Sequence, residues 1–175
     1  MSKVNTNSKK GFTIIEVVLV LAIAGLIFLM VFVALPALQR SQRDTQRRDD
    51  MARLITAVQN YQSNNRNKIP TDFTNAGKFY QGYLVNAQGG GTSGATDTFD
   101  DPSTGEGYTF VAGSCTSASD CANKSTSGDG AKLGVITYYV SAGCDGEDPK
   151  YLQGSNNKIA FTIKLEGAGT YCSNN

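Results

Sequence analysis

The chain contains no histidine and no tryptophan. Without histidine there can be no Ser-His-Asp triad, no HExxH zinc site and no imidazole ligation of a metal. No pair among Cys115, Cys121, Cys144 and Cys172 is spaced as CxxC, which argues against a zinc ribbon or a thioredoxin-type motif. The glycine-rich stretch Gly89-Gly90-Gly91 and Gly94 is not a phosphate loop, because no Gly-Lys-Ser/Thr follows it. No catalytic constellation emerges, no cofactor is implied, and no aromatic platform is evident. Excess positive charge is missing too: after Gly11 there are 13 basic and 15 acidic side chains, a net of −2. That is no general nucleic-acid footprint, so nucleic acid is not an expected partner.

The most informative absence is local. From Val17 to Leu38, 22 residues, no side chain carries a charge or a hydroxyl. A helix of that length crosses a hydrocarbon core of about 30 Å. One acid stands at the edge of the run, Glu16. At a helix centre an acid costs roughly 2.5–3.5 kcal/mol on insertion scales, so a retained one calls for a partner. Before the run lies a polar leader with Lys3, Lys9 and Lys10. A secretory signal peptide has a shorter apolar region, about 7–15 residues, with its small-residue cut site after it. Here the small residue, Gly11, comes first.

Lys9, Lys10, Gly11, Phe12, Thr13 and Glu16, followed by the apolar run, resemble the class III (prepilin) signal of type IV pilins and type II secretion pseudopilins. The resemblance implies cleavage after Gly11 by a prepilin peptidase and methylation of the Phe12 amine. It also implies a leader inside, with the bulk of the chain outside. Charge alone leaves that topology open, since Arg40, Arg43, Arg47 and Arg48 flank the other end of the run.

The helical signal continues past Leu38 without Gly or Pro to about Asn64, where Asn64-Asn65 and Ile69-Pro70 stop it. Met51, Leu54, Ile55, Val58 and Tyr61 form one stripe, so the second half is amphipathic and should lie on a sheet. Arg40, Arg43, Asp44, Arg47, Arg48, Asp49, Asp50 and Arg53 read as a solvated face with i,i+3 and i,i+4 pairs, or else as subunit pairing or DNA contact along a filament. A short helix or strand is expected near Phe79–Val85. Asp101-Pro102…Gly105…Tyr108 is a turn opening a strand, and it looks like the turn that opens the sheet in major pseudopilins and many Gram-positive-type pilins. Leu133–Ser141 and Lys158–Leu165 read as two further strands. Three strands with turn-rich connections predict an antiparallel meander under the helix.

An even cysteine count in an exported domain reads as two disulfides, with three pairings possible. Cys115–Cys121 and Cys144–Cys172 are favoured: the first closes a local loop and the second ties the tail to the sheet. The second resembles the disulfide-bounded carboxy-terminal region of pilins. Asp145, Glu147 and Asp148 are a weak calcium candidate, since some pseudopilins bind calcium in a comparable loop. A solvated turn is the plainer reading. Asn123-Lys124-Ser125 fits an Asn-glycosylation sequon.

The resemblance thus implies an α+β type IV pilin fold, with a long amino-terminal helix packed on a small antiparallel sheet. Its parts are a leader at 1–11, a transmembrane and assembly helix at 12–38, an amphipathic half at 39–65 and a globular head at 66–175. The implied function is a pilus subunit, held in the membrane and then polymerised into an extracellular homo-oligomeric filament by assembly machinery. A pseudopilin is the alternative within that class, and a membrane-anchored binding module the alternative outside it. In such filaments the segment from glycine to proline can lose helicity, which here is Gly25 to Pro36. That proline stands eleven residues after the glycine, farther than the family's usual spacing.

Overall fold

A computed structural model describes residues 11–74, 77–85, 98–115, 121, 132–152, 155–167 and 169–175. The sequon and the Gly89–Gly94 stretch lie outside them. The chain divides into two compact units at Gln39 and Arg40.

Helix α1 spans Ile14–Asn64 and passes through Pro36 and Gly25 without interruption. It stops in a left-handed turn: Arg66 and Asn67 have φ of 53° and 61°. The Asn67 N–H returns to Gln62 O at 2.8 Å, closing the last carbonyls. Tyr80–Val85 follows as a π-helical turn, inside the segment expected to be a short helix or strand.

Within the unit from Arg40 onward, Met51, Leu54, Ile55 and Val58 of α1 bury against Ile136, Ile159, Phe161 and Ile163. These last four lie on two strands of a four-stranded sheet. Its strands are β1 (Thr109–Ala112), β2 (Val135–Val140), β5 (Ile159–Lys164) and β6 (Thr170–Asn174), in the order β1-β2-β5-β6. A long amino-terminal helix whose second half packs on a small sheet is consistent with the α+β pilin fold. The meander expectation needs correction, because β1 pairs with β2 in parallel. β2–β5 and β5–β6 are antiparallel. A parallel pair needs a crossover rather than a hairpin, and the long stretch between Ala112 and Val135 supplies it.

The other face of the sheet carries Tyr139, Ala160 and Cys172, which form a second small core with Ala142. A hairpin of β3 (Ala142–Asp145) and β4 (Asp148–Tyr151) contributes to it. Ser141 enters that hairpin with φ of 57°, and Gly146 turns it with φ of 68°. The structure joins Cys115 to Cys121 and Cys144 to Cys172.

Candidate functional site

The amino terminus of α1 is built on a reciprocal cap. Thr13 sits just outside the first helical residue, and its carbonyl accepts the Val17 N–H. Glu16 reaches back one turn: its Oε2 accepts the Thr13 N–H at 2.9 Å and the Thr13 hydroxyl at 2.8 Å. This is half of a capping box, in which the third helical residue satisfies the cap's own donor. A carboxylate at this end also complements the helix dipole. Both bonds use Oε2, and Oε1 has no partner among the described residues.

Phe12, just before the cap, is 89% exposed, and Gly11 has nothing within 4 Å of where a side chain would begin. Among the described residues, nothing packs against the Gly11–Phe12 step. Phe12, Glu16, Val17 and Val20 line one shallow groove on the helix. The large apolar side chains from Ile14 to Leu38 are all exposed. An 18-residue window of α1 has a mean hydropathy of 3.2 with none of it buried, so length and composition suffice to cross a membrane. Glu16 is the one charged residue between Phe12 and Leu38.

The charged stretch after Leu38 is not a simple solvated face. Arg47 is fully buried. Its Nε and Nη2 grip both oxygens of Asp101, at 2.7 and 3.0 Å. Nη2 also reaches Ser103 Oγ, and Nη1 reaches Asp44 Oδ1 and Glu166 Oε1. Arg43 holds Glu166 in a second fork at 2.8 and 2.6 Å. Asp44 accepts the backbone N–H groups of Glu166 and Gly167, both at 2.8 Å. Burial works to raise the Asp101 carboxyl, but the bonds from Arg47 and Ser103 outweigh it and hold the group at about 2. Arg43, ahead of Arg47, holds the Glu166 carboxyl below its ordinary range. Burial lifts the Asp50 carboxyl, although the Tyr108 hydroxyl donates to it at 2.9 Å. This cluster ties the Asp101-Pro102 turn and the Glu166 turn to α1. A sequence signal was present: Asp44 and Arg47 continue the Met51–Leu54–Val58 stripe at helical spacing.

Asp145, Glu147 and Asp148 are not gathered into a metal-ligating group. Asp145 pairs with Lys150 at 3.0 Å, and the Glu147 carboxylate lies over Gly169. Among the described residues no cluster of three or more such ligands occurs.

A family model described as the prokaryotic N-terminal methylation motif matches residues 6–32. That motif is the class III signal of type IV pilins and pseudopilins, so the amino terminus is that of a pilin-like or pseudopilin precursor. No curated protein and no solved structure matches the chain.

Proposed function

We propose that this chain is a structural subunit, not an enzyme: a type IV pilin that polymerises through α1 into an extracellular filament. Prepilin peptidase would cut between Gly11 and Phe12, and the Phe12 amine would be methylated. Its partners would be copies of itself, the peptidase and the membrane-embedded assembly machinery. The membrane would hold it before assembly.

The observation that carries this reading is Glu16. It is a lone carboxylate on an exposed apolar helix, one turn from the new amine that cleavage creates. A plain membrane anchor has no use for it. One oxygen serves the Thr13 cap, which leaves Oε1 for a cation. In a staggered filament the Phe12 amine of an incoming subunit meets that oxygen and sets the axial register. Apolar helices alone would slide with little preference. An ion pair away from water is poorly tolerant of losing one partner.

The test is a Glu16→Gln strain, assayed for surface filaments and for cleaved subunit in the membrane. Normal subunit levels with filaments lost are expected. Normal filaments would refute the assembly role.

A pseudopilin reading is favoured by one feature, the Asp101-Pro102 turn, which the Arg47 clamp makes a fixed part of the head. Electron microscopy of labelled surface filaments separates long pili from short pseudopili. Replacing the helix by a generic anchor would spare a membrane-anchored binding module and abolish a filament subunit.

A further inference from the structure

The head carries a cleft of about 400 Å³ between the Thr71–Thr74 segment, β1 and Tyr138 of β2. That volume is within the range of about 300–1,000 Å³ in which small-ligand sites fall. Aromatic residues from three separate segments line it: Phe73, then Tyr108 and Phe110, then Tyr138. Phe73 is buried, with its ring centroid 4.5 Å from Tyr138 and 5.6 Å from Phe110. Phe79 and Phe161 hold it edge-on, at 5.3 and 5.7 Å. Tyr138 and Phe110 are only half-buried, so their rings form a supported apolar wall.

The rest of the lining is polar and fixed. Asp72 is exposed, and its Oδ1 accepts the Thr74 N–H and hydroxyl at 3.1 and 2.7 Å. A Cβ at Gly77 would stand 2.6 Å from the Asp72 carboxyl carbon, so the glycine is what lets the carboxylate sit there. Thr71 and Thr74 add hydroxyls.

From this set we propose that the cleft binds a neutral saccharide, its apolar ring face on Tyr138 and its hydroxyls on Asp72 and the threonines. Among the described residues no lysine or arginine lines the cleft, which argues against an anionic ligand. An ammonium ligand is less well served: neutral donors and acceptors outnumber the single charge, and one oxygen of that charge is already engaged. The proposal goes beyond the filament reading and stands whether or not the chain assembles.

The absence of native tryptophan permits a clean reporter. The full mature chain carrying Tyr138→Trp, in a sugar-free polyoxyethylene detergent, is titrated with glucose, N-acetylglucosamine and cellobiose, and separately with choline chloride. A saturable fluorescence change with one or more of the sugars is expected. A Lys150→Trp control on β4 should give none. Adding Asp72→Ala should weaken the response roughly tenfold, about what one lost hydrogen-bonding partner removes. Saturation-transfer NMR of the unaltered chain with the same sugars guards against the indole itself blocking the cleft. No transfer to any of the three sugars from natively folded protein, or a response to choline alone, would overturn the proposal.

Discussion

Arg47 occupies a place in the stripe of α1 where an apolar side chain would be the simple choice. A buried charge is tolerated only when paired and fully hydrogen-bonded, and here Asp101, Ser103, Asp44 and Glu166 supply every contact. Such a cluster adds little net stability over an apolar replacement, but breaking it leaves a stranded charge. Arg47→Met should therefore cost about 3–5 kcal/mol, because Asp101 stays buried and unpaired. Adding Asp101→Leu should recover part of that loss. Denaturant unfolding of the detergent-solubilised chain measures both, and a double variant as weak as the sum of the singles would refute the account. The same residues set an acid limit. The Asp101 carboxyl is at about 2 in the fold against an ordinary 3.8, so its contribution is complete above the ordinary value and is lost as pH falls through about 2. Glu166, also lowered, acts with the same sign. Asp50 is raised and acts in the opposite sense. Stability should thus drop between about pH 4 and 2. Asp101→Asn should flatten that decline, and an identical acid limb in the two proteins would exclude the clamp as its source.

Secondary elements with strong periodicity were legible in the sequence, and those defined by partners were not. α1, β2 and β5 lie within the segments that their apolar patterns mark: the first half of α1 is apolar all round, and its second half and both strands bury apolar side chains. β3, β4 and β6 are four or five residues long and rich in Gly, Asp, Ser and Asn, so propensity alone does not reveal them. The Asp145-Gly146 pair was a hairpin signal that the neighbouring acids obscured. The direction of β1 was invisible, since parallel and antiparallel partners need the same local pattern. The site was legible in the same uneven way. Gly11, Phe12 and Glu16 are marked by their contrast with the apolar run. The use of Glu16 as a cap partner for Thr13, and the convergence of Phe73, Phe110 and Tyr138, depend on the fold. β1 leaves the sheet at Gly113, and a Cβ there would stand 2.2 Å from the Tyr139 ring. Gly113→Ala must push that ring or the strand aside, and overpacking of this kind costs about 1–3 kcal/mol. Gly105→Ala makes a useful contrast: its φ of 68° imposes backbone strain, but nothing stands near its Cβ. Near-ultraviolet circular dichroism should report a changed tyrosine environment for the Gly113 variant alone. An unchanged spectrum would mean that the end of β1 is free to shift.

The head as a whole has a large core between α1 and the sheet and a small one on the sheet's other face, and the two disulfides serve only the second. Cys115, Cys121 and Cys172 are all buried in that small cluster with Tyr139, Ala142 and Ala160. Cys144–Cys172 joins β3 to β6 across a sequence separation of 28, whereas Cys115–Cys121 spans 6. In the chain-entropy description, a cross-link stabilises by restricting the unfolded chain, and the effect grows with the logarithm of the loop. The longer link should then be worth about 1.3 kcal/mol more than the shorter. It also has a structural consequence that the shorter one lacks. The β3–β4 hairpin pairs with no strand of the four-stranded sheet, so its hold on that face rests on the packing around Tyr139 and Tyr151, the Cys144 N–H bond to Asn174 Oδ1 and this disulfide. Replacing Cys144 and Cys172 together by serine should lower the unfolding midpoint more than replacing Cys115 and Cys121. Amide exchange should accelerate first at Ala142–Asp145 and Asp148–Tyr151, while Leu54–Val58 and Ile159–Ile163 stay protected. Equal losses from the two double variants, or exchange that rises together in both cores, would show that the head unfolds as one unit and that the hairpin is not held by the bond.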